Sequence, residues 1–507
     1  MSQVTSAPAA RKVCVKCGMD VTGRKRIKNA SGEYCCESCY GQGTKVAEPA
    51  VTVAPADLPD QAVAKALGLL GQVTCPHCWH RFSPADILWV AQHSDLMGDP
   101  VLGPEKPRRF LPTRFTAEGQ AIDGRGSVCQ VLACPRCHLA IPRSIVEAEP
   151  LFISVVGGPK SGKSYFLASM AWELRRCLSA DFGLAFNDAD TVANQALNEY
   201  EATLFLPEDA DKLVAIRKTE LEGELYDQIN LGGQVMSLPR PFLFNIRPTA
   251  RHPNAARRDH LNRILCMYDN AGEHFQPGMD RVGSPVTQHL AMSRALMFLF
   301  DPTQDPRFRE RCRGLSEDPQ LGGAKNTQRQ ETLLTEASLR VRRYANLPPN
   351  AKHQRPLVVI VSKSDVWAPL VPMDLTSEPV LPSTGGEVAA LDTPRIERSS
   401  AAIREMLLRS TPELVTAAEE FCEHIIYIPV SALGCSPEAT ALGEGKTGLF
   451  VRPKSIAPRW AAVPVLYMLA KWATGLIAAG PPPGPPSNPH GATARPPAAP
   501  GPAVAAC

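Results

Sequence analysis

The sequence predicts an α/β protein: a mostly parallel sheet with helices on both faces, preceded by two small cysteine units and followed by a disordered tail. Three observations carry this. From Leu151 to about Leu476, short apolar runs alternate with helix-period patterns. At the start of that region, "LFISVVGGPKSGKSYFLASM" sets an apolar run, a glycine-rich turn and a helical pattern in succession. On either side the composition changes. C-x-x-C pairs stand in front, and a tail with ten prolines in 27 residues stands behind.

The elements follow in order. Candidate strands are Leu151–Val156, Phe242–Ile246, Ile264–Tyr268, Ala295–Phe300, Leu357–Val361 and Ile425–Pro429. Between them lie two long connections. One exceeds a hundred residues between Ser164 and Asp269, and the other is the insertion "DPTQDPRFRERCRGLSEDPQLGGAKNTQRQ". Connections of that length tend to be functional surfaces or disordered. The stretch "WAAVPVLYMLAKWATGLIAAG" carries Pro464 and Lys471 in its middle, which favours a buried terminal helix over a membrane span. The expected domains are a cysteine unit over 1–45, a linker over 46–70, a second cysteine unit over 71–145, the α/β domain over 146–478 and the tail over 479–507.

Composition excludes several classes. A chain of 507 residues with 44% hydrophobic and 21% charged residues supports ordinary soluble cores. A net charge of +3 predicts neither nucleic-acid coating nor membrane attraction. The N-terminal "MSQVTSAPAA" has no apolar segment of signal-peptide length, so the expected location is the cytoplasm. Sixteen cysteines grouped as C-x-x-C pairs in such a chain favour metal binding over disulfides.

The glycine-rich turn fits G-x-x-x-x-G-K-[ST] through Gly157, Gly158, Pro159, Lys160, Ser161, Gly162, Lys163 and Ser164. Its backbone N–H groups are expected to converge on an anion at a helix N-terminus. Lys163 would reach the β- and γ-phosphates, and the Ser164 hydroxyl would bind Mg²⁺. Helical spacing of Phe166, Leu167, Met170, Ala171 and Leu174 supplies the helix that the motif requires.

Three further motifs each follow an apolar run. In "RILCMYDNAGEHF", Asp269 can hold Mg²⁺ through water and the Gly272 N–H can sense a γ-phosphate. In "PLVVIVSKSD", Asp365 matches the N1–H and 2-amino donors of guanine and rejects adenine, while the Lys363 stem can pack over the purine. In "IIYIPVSALG" the run ends in Ser431, Ala432 and Leu433. Alone, each is weak; their order along the chain is specific.

Over roughly Leu151 to Leu476 this set resembles the TRAFAC-class GTPases, P-loop NTPases of Ras-like fold. The resemblance implies GTP/GDP as ligand, Lys363 and Asp365 reading guanine, and Ser431, Ala432 and Leu433 supporting it. Two positions depart from the family. Ser362 stands where Asn or Thr is usual, so the hydrogen bond that braces the loop must come from a smaller side chain. Glu273, followed by His274, stands where the water-positioning residue is often Gln, which implies slow turnover without a partner. For the switch threonine, Thr219 is the candidate over Thr191 and Thr203, and a structural role for Thr219 stays equally open.

The first cysteine unit pairs Cys14 and Cys17 with Cys36 and Cys39, a spacing that reads as tetrahedral structural zinc; Cys35 is an alternate for Cys36. The second pairs Cys75 and Cys78 with Cys134 and Cys137 across a long insert, a split zinc ribbon with His77, His80, Cys129 and His138 as alternates. Four thiolates saturate zinc and leave no open position for catalysis. Zinc is expected to support the folding of residues 11–40 and 74–142, while the α/β domain from about Val146 onward is expected to bind nucleotide without it.

Lys12, Lys16, Arg24, Lys25, Arg26 and Lys28 offer phosphate contacts, but the only nearby aromatics for base stacking are Tyr34 and Tyr40. Protein docking is therefore favoured over nucleic acid. Zinc knuckles running into a GTPase with D-N-A-G-E look like the bacterial double-GTPase family. That resemblance implies a protein partner, such as a second GTPase, and a role in conflict or defence signalling. The competing reading is a GTP-regulated nucleic-acid-binding factor that grips through its ribbons. An ATPase or small-molecule kinase is disfavoured by Lys363–Asp365 and the D-x-x-G.

Overall fold

The computed structural model describes residues 12–14, 20–28, 34–37, 70–216, 226–269, 285–322, 329–348, 351–382, 388–443 and 446–480. By contacts the chain divides into residues 1–62 and residues 63–507.

The larger unit is built on a seven-stranded sheet. Its strands are β1 (Glu149–Gly157), β2 (Leu184–Asp188), β3 (Phe242–Pro248), β4 (Arg263–Asp269), β5 (Ala295–Phe300), β6 (Leu357–Val361) and β7 (Ile425–Pro429). In space they run β2-β3-β4-β1-β5-β6-β7. The four pairings from β4 to β7 are parallel, and β3 is antiparallel to both β2 and β4. The inner parallel strands β5 and β6 are buried at every residue, which is why they read as unbroken apolar runs. All six expected strands are present. The seventh, β2, has the sequence LAFND at a sheet edge, too polar to stand out.

One face of the sheet presents Leu151, Ile153, Val155, Phe244, Met267, Met297, Ile360 and Ile428. Three helices cover it: α1 (Lys163–Ala180), α2 (Gln195–Phe205) and the helix Val463–Trp472 near the end of the described chain. That last helix buries Val463, Val465, Leu466 and Leu469, as the apolar stretch predicted. Among the described residues no helix is long and apolar enough to cross a membrane.

The opposite face is divided. Beneath β5, β6 and β7, Phe298, Phe300, Val359, Val361 and Tyr427 pack on helices Gln330–Tyr344, Thr393–Ser410 and Pro412–Phe421. Beneath β1, β3 and β4, however, Phe152, Leu243, Ile264, Cys266 and Tyr268 share one core with Cys75, Cys78, Trp79, Phe82, Cys134, Cys137 and Ile145. The hairpin Tyr226–Leu231/Gln234–Pro239 adds Ile229 and Leu238 to it. The sheet thus has helices on both faces, but on the second face the cysteine unit covers the half where a helix was expected. The insert between the two knuckles is itself folded. Its strands Leu88–Val90 and Arg109–Phe110 extend the pair Leu132–Ala133/Ala140–Ile141 into a four-stranded sheet.

In the smaller unit, Arg26–Lys28 pairs antiparallel with Tyr34–Cys36 around buried Cys14, Val21, Cys35 and Cys36.

Candidate functional site: a phosphate loop, a purine edge and a four-cysteine cluster

The phosphate loop springs from the end of β1, at the sheet's centre. A Cβ on Gly157 would lie 2.8 Å from the Leu299 carbonyl oxygen and 3.1 Å from Ser161 Oγ, so β1 can turn this close to β5 only with glycine. Gly162, at φ +89°, opens helix α1. Lys163 is buried and its Nζ donates to the carbonyls of Gly157 and Gly158, 3.0 Å each, which draws the ammonium in against the loop. Ser161 Oγ closes the turn on Gly158 O at 2.8 Å. Lys160, at the apex, takes a left-handed φ of +59° with its side chain exposed.

Beside the loop, Ser164 Oγ donates to Asp269 Oδ2 at 3.2 Å. The register Val155↔Asp269 between β1 and β4 makes this meeting possible across 105 residues of chain. A half-buried hydroxyl beside a buried carboxylate gives hard oxygen donors that fit Mg²⁺. Gly272, Glu273 and Thr219 lie outside the described residues.

The residues expected to meet the base lie at the ends of β6 and β7. Ser431 Oγ donates to Asp365 Oδ1 and accepts from the Gly434 N–H at 2.8 Å, which orients the carboxylate. Gly434 is irreplaceable there: at φ +69°, a Cβ would fall 1.8 Å from Ala457 O. Ala432 O accepts from Ser169 Oγ of α1 at 2.6 Å, and Leu433 O accepts from Ala457 N–H at 2.8 Å. Lys363, at φ +54°, lends its Nζ to Asp301 Oδ2 (2.7 Å), Thr303 Oγ1 (2.8 Å) and Gln320 Oε1 (2.8 Å).

The brace between the two ends differs from the expectation for Ser362. Its hydroxyl donates to Phe300 O at 3.0 Å, on the neighbouring strand, because it is too short to reach the loop. Gln304 reaches the loop instead, with Nε2 donating to Pro159 O at 3.3 Å and to Asp301 Oδ2 at 3.2 Å. Asp301, Thr303, Gln304 and Gln320 all come from the insertion after β5, which thereby joins the site. The only sequence signal was Asp301 as an N-cap beside Pro302; its carboxylate accepts the Thr303 N–H.

On the opposite face, Cys75, Cys78, Cys134 and Cys137 bring their sulfurs within 4.8 Å of one another, all buried. The contacts Cys75–Cys137 and Cys78–Cys134 are both 3.7 Å. A tetrahedron with metal–sulfur bonds of about 2.3 Å has edges of about 3.8 Å, which these two contacts match, so the donor set fits zinc. The two knuckles share one shape. His77 N–H and Arg136 N–H each lie 3.4 Å from the preceding cysteine sulfur, and Trp79 and His138 occupy matching left-handed turns at φ +55° and +60°. Burial pushes the Cys75 thiol up, while hydrogen bonds from the other three thiols pull Cys134 down. A dication would let all four ionise.

The alternates are occupied elsewhere. His77 Nε2 meets Ala140 O at 3.0 Å, His138 Nδ1 meets Asp99 at 2.8 Å, and His80 stacks on Phe82. Cys129 lies against Asp123. In the first unit, Cys35 Sγ is 3.9 Å from Cys14 Sγ and Cys36 N–H is 3.3 Å from it, whereas Cys17 and Cys39 lie outside the described residues. Tyr34 is ringed by Lys12, Arg26 and Lys28, each within 5.7 Å of its centroid.

No family model matches the chain. The putative ESX-1 scaffolding and assembly protein SaeC of Mycolicibacterium smegmatis is 23% identical over 261 residues, covering 51% of this chain and 58% of that protein. Among solved structures, Sup35 complexed with GDP is similar over 56% of this chain and 38% of its own, at 11% identity and a TM-score of 0.20. A variant of Aquifex aeolicus Era bound to GDP and AlF4⁻ is similar over 57% and 53%, at 12% identity and 0.19. Era in complex with MgGDPNP and a segment of 16S ribosomal RNA is similar over 60% and 62%, at 12% identity and 0.20. The chain thus covers less than two thirds of each of these proteins. All three TM-scores are low.

Proposed function

We propose that the protein is a Mg²⁺-dependent GTP-binding and hydrolysing switch. The observation that carries the reading is the Ser431–Asp365 hydrogen bond, which fixes a carboxylate two residues past Lys363, just beyond the end of β6. A fixed acceptor pair there suits guanine's N1–H and 2-amino group and opposes adenine.

In this reading the loop's N–H groups and Lys163 hold the phosphates. Ser164 and Asp269 would hold Mg²⁺, which would supply charge neutralisation for the phosphates. Asp365 and Lys363 read the base, Ser431, Ala432 and Leu433 support it, and Gly272 senses the γ-phosphate. Glu273 orients the attacking water, at the cost of repelling the γ-phosphate charge, so turnover alone is slow. Thr219 completes the Mg²⁺ shell. The cysteine units carry two structural zinc ions, and the output is a protein partner. The resemblance to double GTPases supports bacterial conflict or defence signalling with a second GTPase. The likeness to a protein named for scaffolding and assembly supports a protein rather than a nucleic-acid partner.

Single-turnover GTP hydrolysis with parallel affinity measurement tests the assignment. The native chain should hydrolyse GTP well below the ~1–100 s⁻¹ of typical kinases. Lys163→Ala should lose tight triphosphate binding, and Glu273→Ala should lose turnover while keeping binding. Fast unassisted turnover would instead mark a motor or metabolic enzyme.

A further inference from the structure

The four-cysteine cluster and the Mg²⁺-binding pair stand on opposite sides of one strand end. Asp269 closes β4 toward Ser164, and the residue before it, Tyr268, points to the other face. Tyr268 is fully buried, and its hydroxyl makes two hydrogen bonds, both to the first knuckle. It donates to Pro76 O at 2.6 Å and accepts from Trp79 Nε1 at 3.0 Å. Pro76 lies between the ligands Cys75 and Cys78, and Trp79 follows Cys78 in a left-handed turn that the knuckle imposes. Burial pushes the phenol well above the ordinary tyrosine range, so it stays a neutral donor.

A second contact comes from the helix Pro285–Met292. His289, on the helix Pro285–Met292, stacks on Tyr268 at 5.2 Å between centroids and faces Trp79 at 6.2 Å. Its Nδ1 is hydrogen-bonded to Ser154 Oγ, 2.5 Å away on β1. Ser154 is the register partner of Tyr268 and lies three residues before Gly157. The knuckle therefore touches β4 just before Asp269 and the helix Pro285–Met292, and through His289 it is linked to Ser154 on β1, three residues before Gly157.

We infer that Tyr268, Trp79 and His289 are positioning residues that couple metal loading of the Cys75–Cys78–Cys134–Cys137 cluster to Mg²⁺-nucleotide binding at Ser164 and Asp269. The inference rests on the proposed GTP site. It replaces the expectation that nucleotide binding is independent of zinc. Linkage makes the coupling reciprocal: zinc tightens Mg²⁺·GTP, and Mg²⁺·GTP retains zinc by the same factor.

The test uses the full chain in a Cys14→Ser background, which removes the other cysteine set from the zinc count. Zinc loss to a chelator selective for zinc over magnesium is timed with and without saturating Mg²⁺·GTP. The nucleotide should slow the loss about tenfold. Tyr268→Phe keeps the ring and removes only the hydroxyl. It should raise the Mg²⁺ concentration needed for GTP binding about three- to tenfold and leave Mg²⁺-free GDP affinity unchanged, a split that general loosening would not produce. Trp79→Phe should act in the same direction. If the native chain binds GTP yet loses zinc at the same rate with and without it, the coupling is absent, whether or not the variants fold. If the native chain binds no guanine nucleotide, the functional reading itself falls and the inference with it.

Discussion

The two faces of the central sheet are finished in different materials. Under α1, α2 and the helix Val463–Trp472, the first face is closed by helices spaced along the chain, each presenting a row of aliphatic side chains. On the second face, half the cover is helical and half is a knuckle whose interior is four sulfurs and whose outer turn offers Trp79 and Phe82 to the sheet. The helical cover owes its shape to many interchangeable contacts. The knuckle owes its shape to four convergent cysteine sulfurs and two short turns, so a single event can remove it.

That difference sets the order of the expected effects. Cys75→Ser or Cys134→Ser should do the most damage, because a structural zinc site is worth roughly 10–16 kcal/mol, comparable with a domain's whole net stability. Metal analysis should show one zinc fewer, and thermal melting should show loss of cooperative unfolding in the larger unit. On the helical face, Phe244→Ala removes one fully buried ring and should cost about 3–5 kcal/mol in denaturant unfolding without touching the metal content. Equal losses at the two faces would erase the distinction.

Gln304→Ala should act more gently. It removes one bond to Pro159 O and one to Asp301, so stability should fall by about 1–2 kcal/mol, with faster release of a fluorescent GDP analogue. Ser362→Ala, whose hydroxyl reaches only Phe300 O, should cost about 1 kcal/mol and leave release unchanged. The reverse ranking would restore Ser362 as the brace.

What was legible in the sequence were the parts whose chemistry is local. The run LFISVV, the glycines that let β1 turn under the loop, and the order of Asp269, Asp365 and Ser431 were all readable, since each is a residue type demanded at a strand end. The cysteine spacing likewise indicated that Cys75, Cys78, Cys134 and Cys137 would come together. Illegible parts depended on contacts between distant segments. β2 has too few apolar residues to declare itself, and Gln304 is one glutamine among several until β5 aims it at Pro159. Trp79 and Tyr268, 189 residues apart, become partners only because the knuckle packs under β4. Spacing shows which ligands share an ion and is silent about which surface that ion's shell will cover.

The central claim is that Asp365, held by Ser431, reads guanine. The direct measurement is equilibrium binding of GTP, ATP and XTP to the native chain and to Asp365→Asn. The account predicts that the native chain prefers GTP over ATP by at least about a hundredfold, roughly 3 kcal/mol of discrimination from a buried polar match. Asp365→Asn should exchange that preference for XTP, because the donor–acceptor pattern at the base inverts. Equal affinity of the native chain for GTP and ATP, or an Asp365→Asn variant that still prefers GTP, would contradict it.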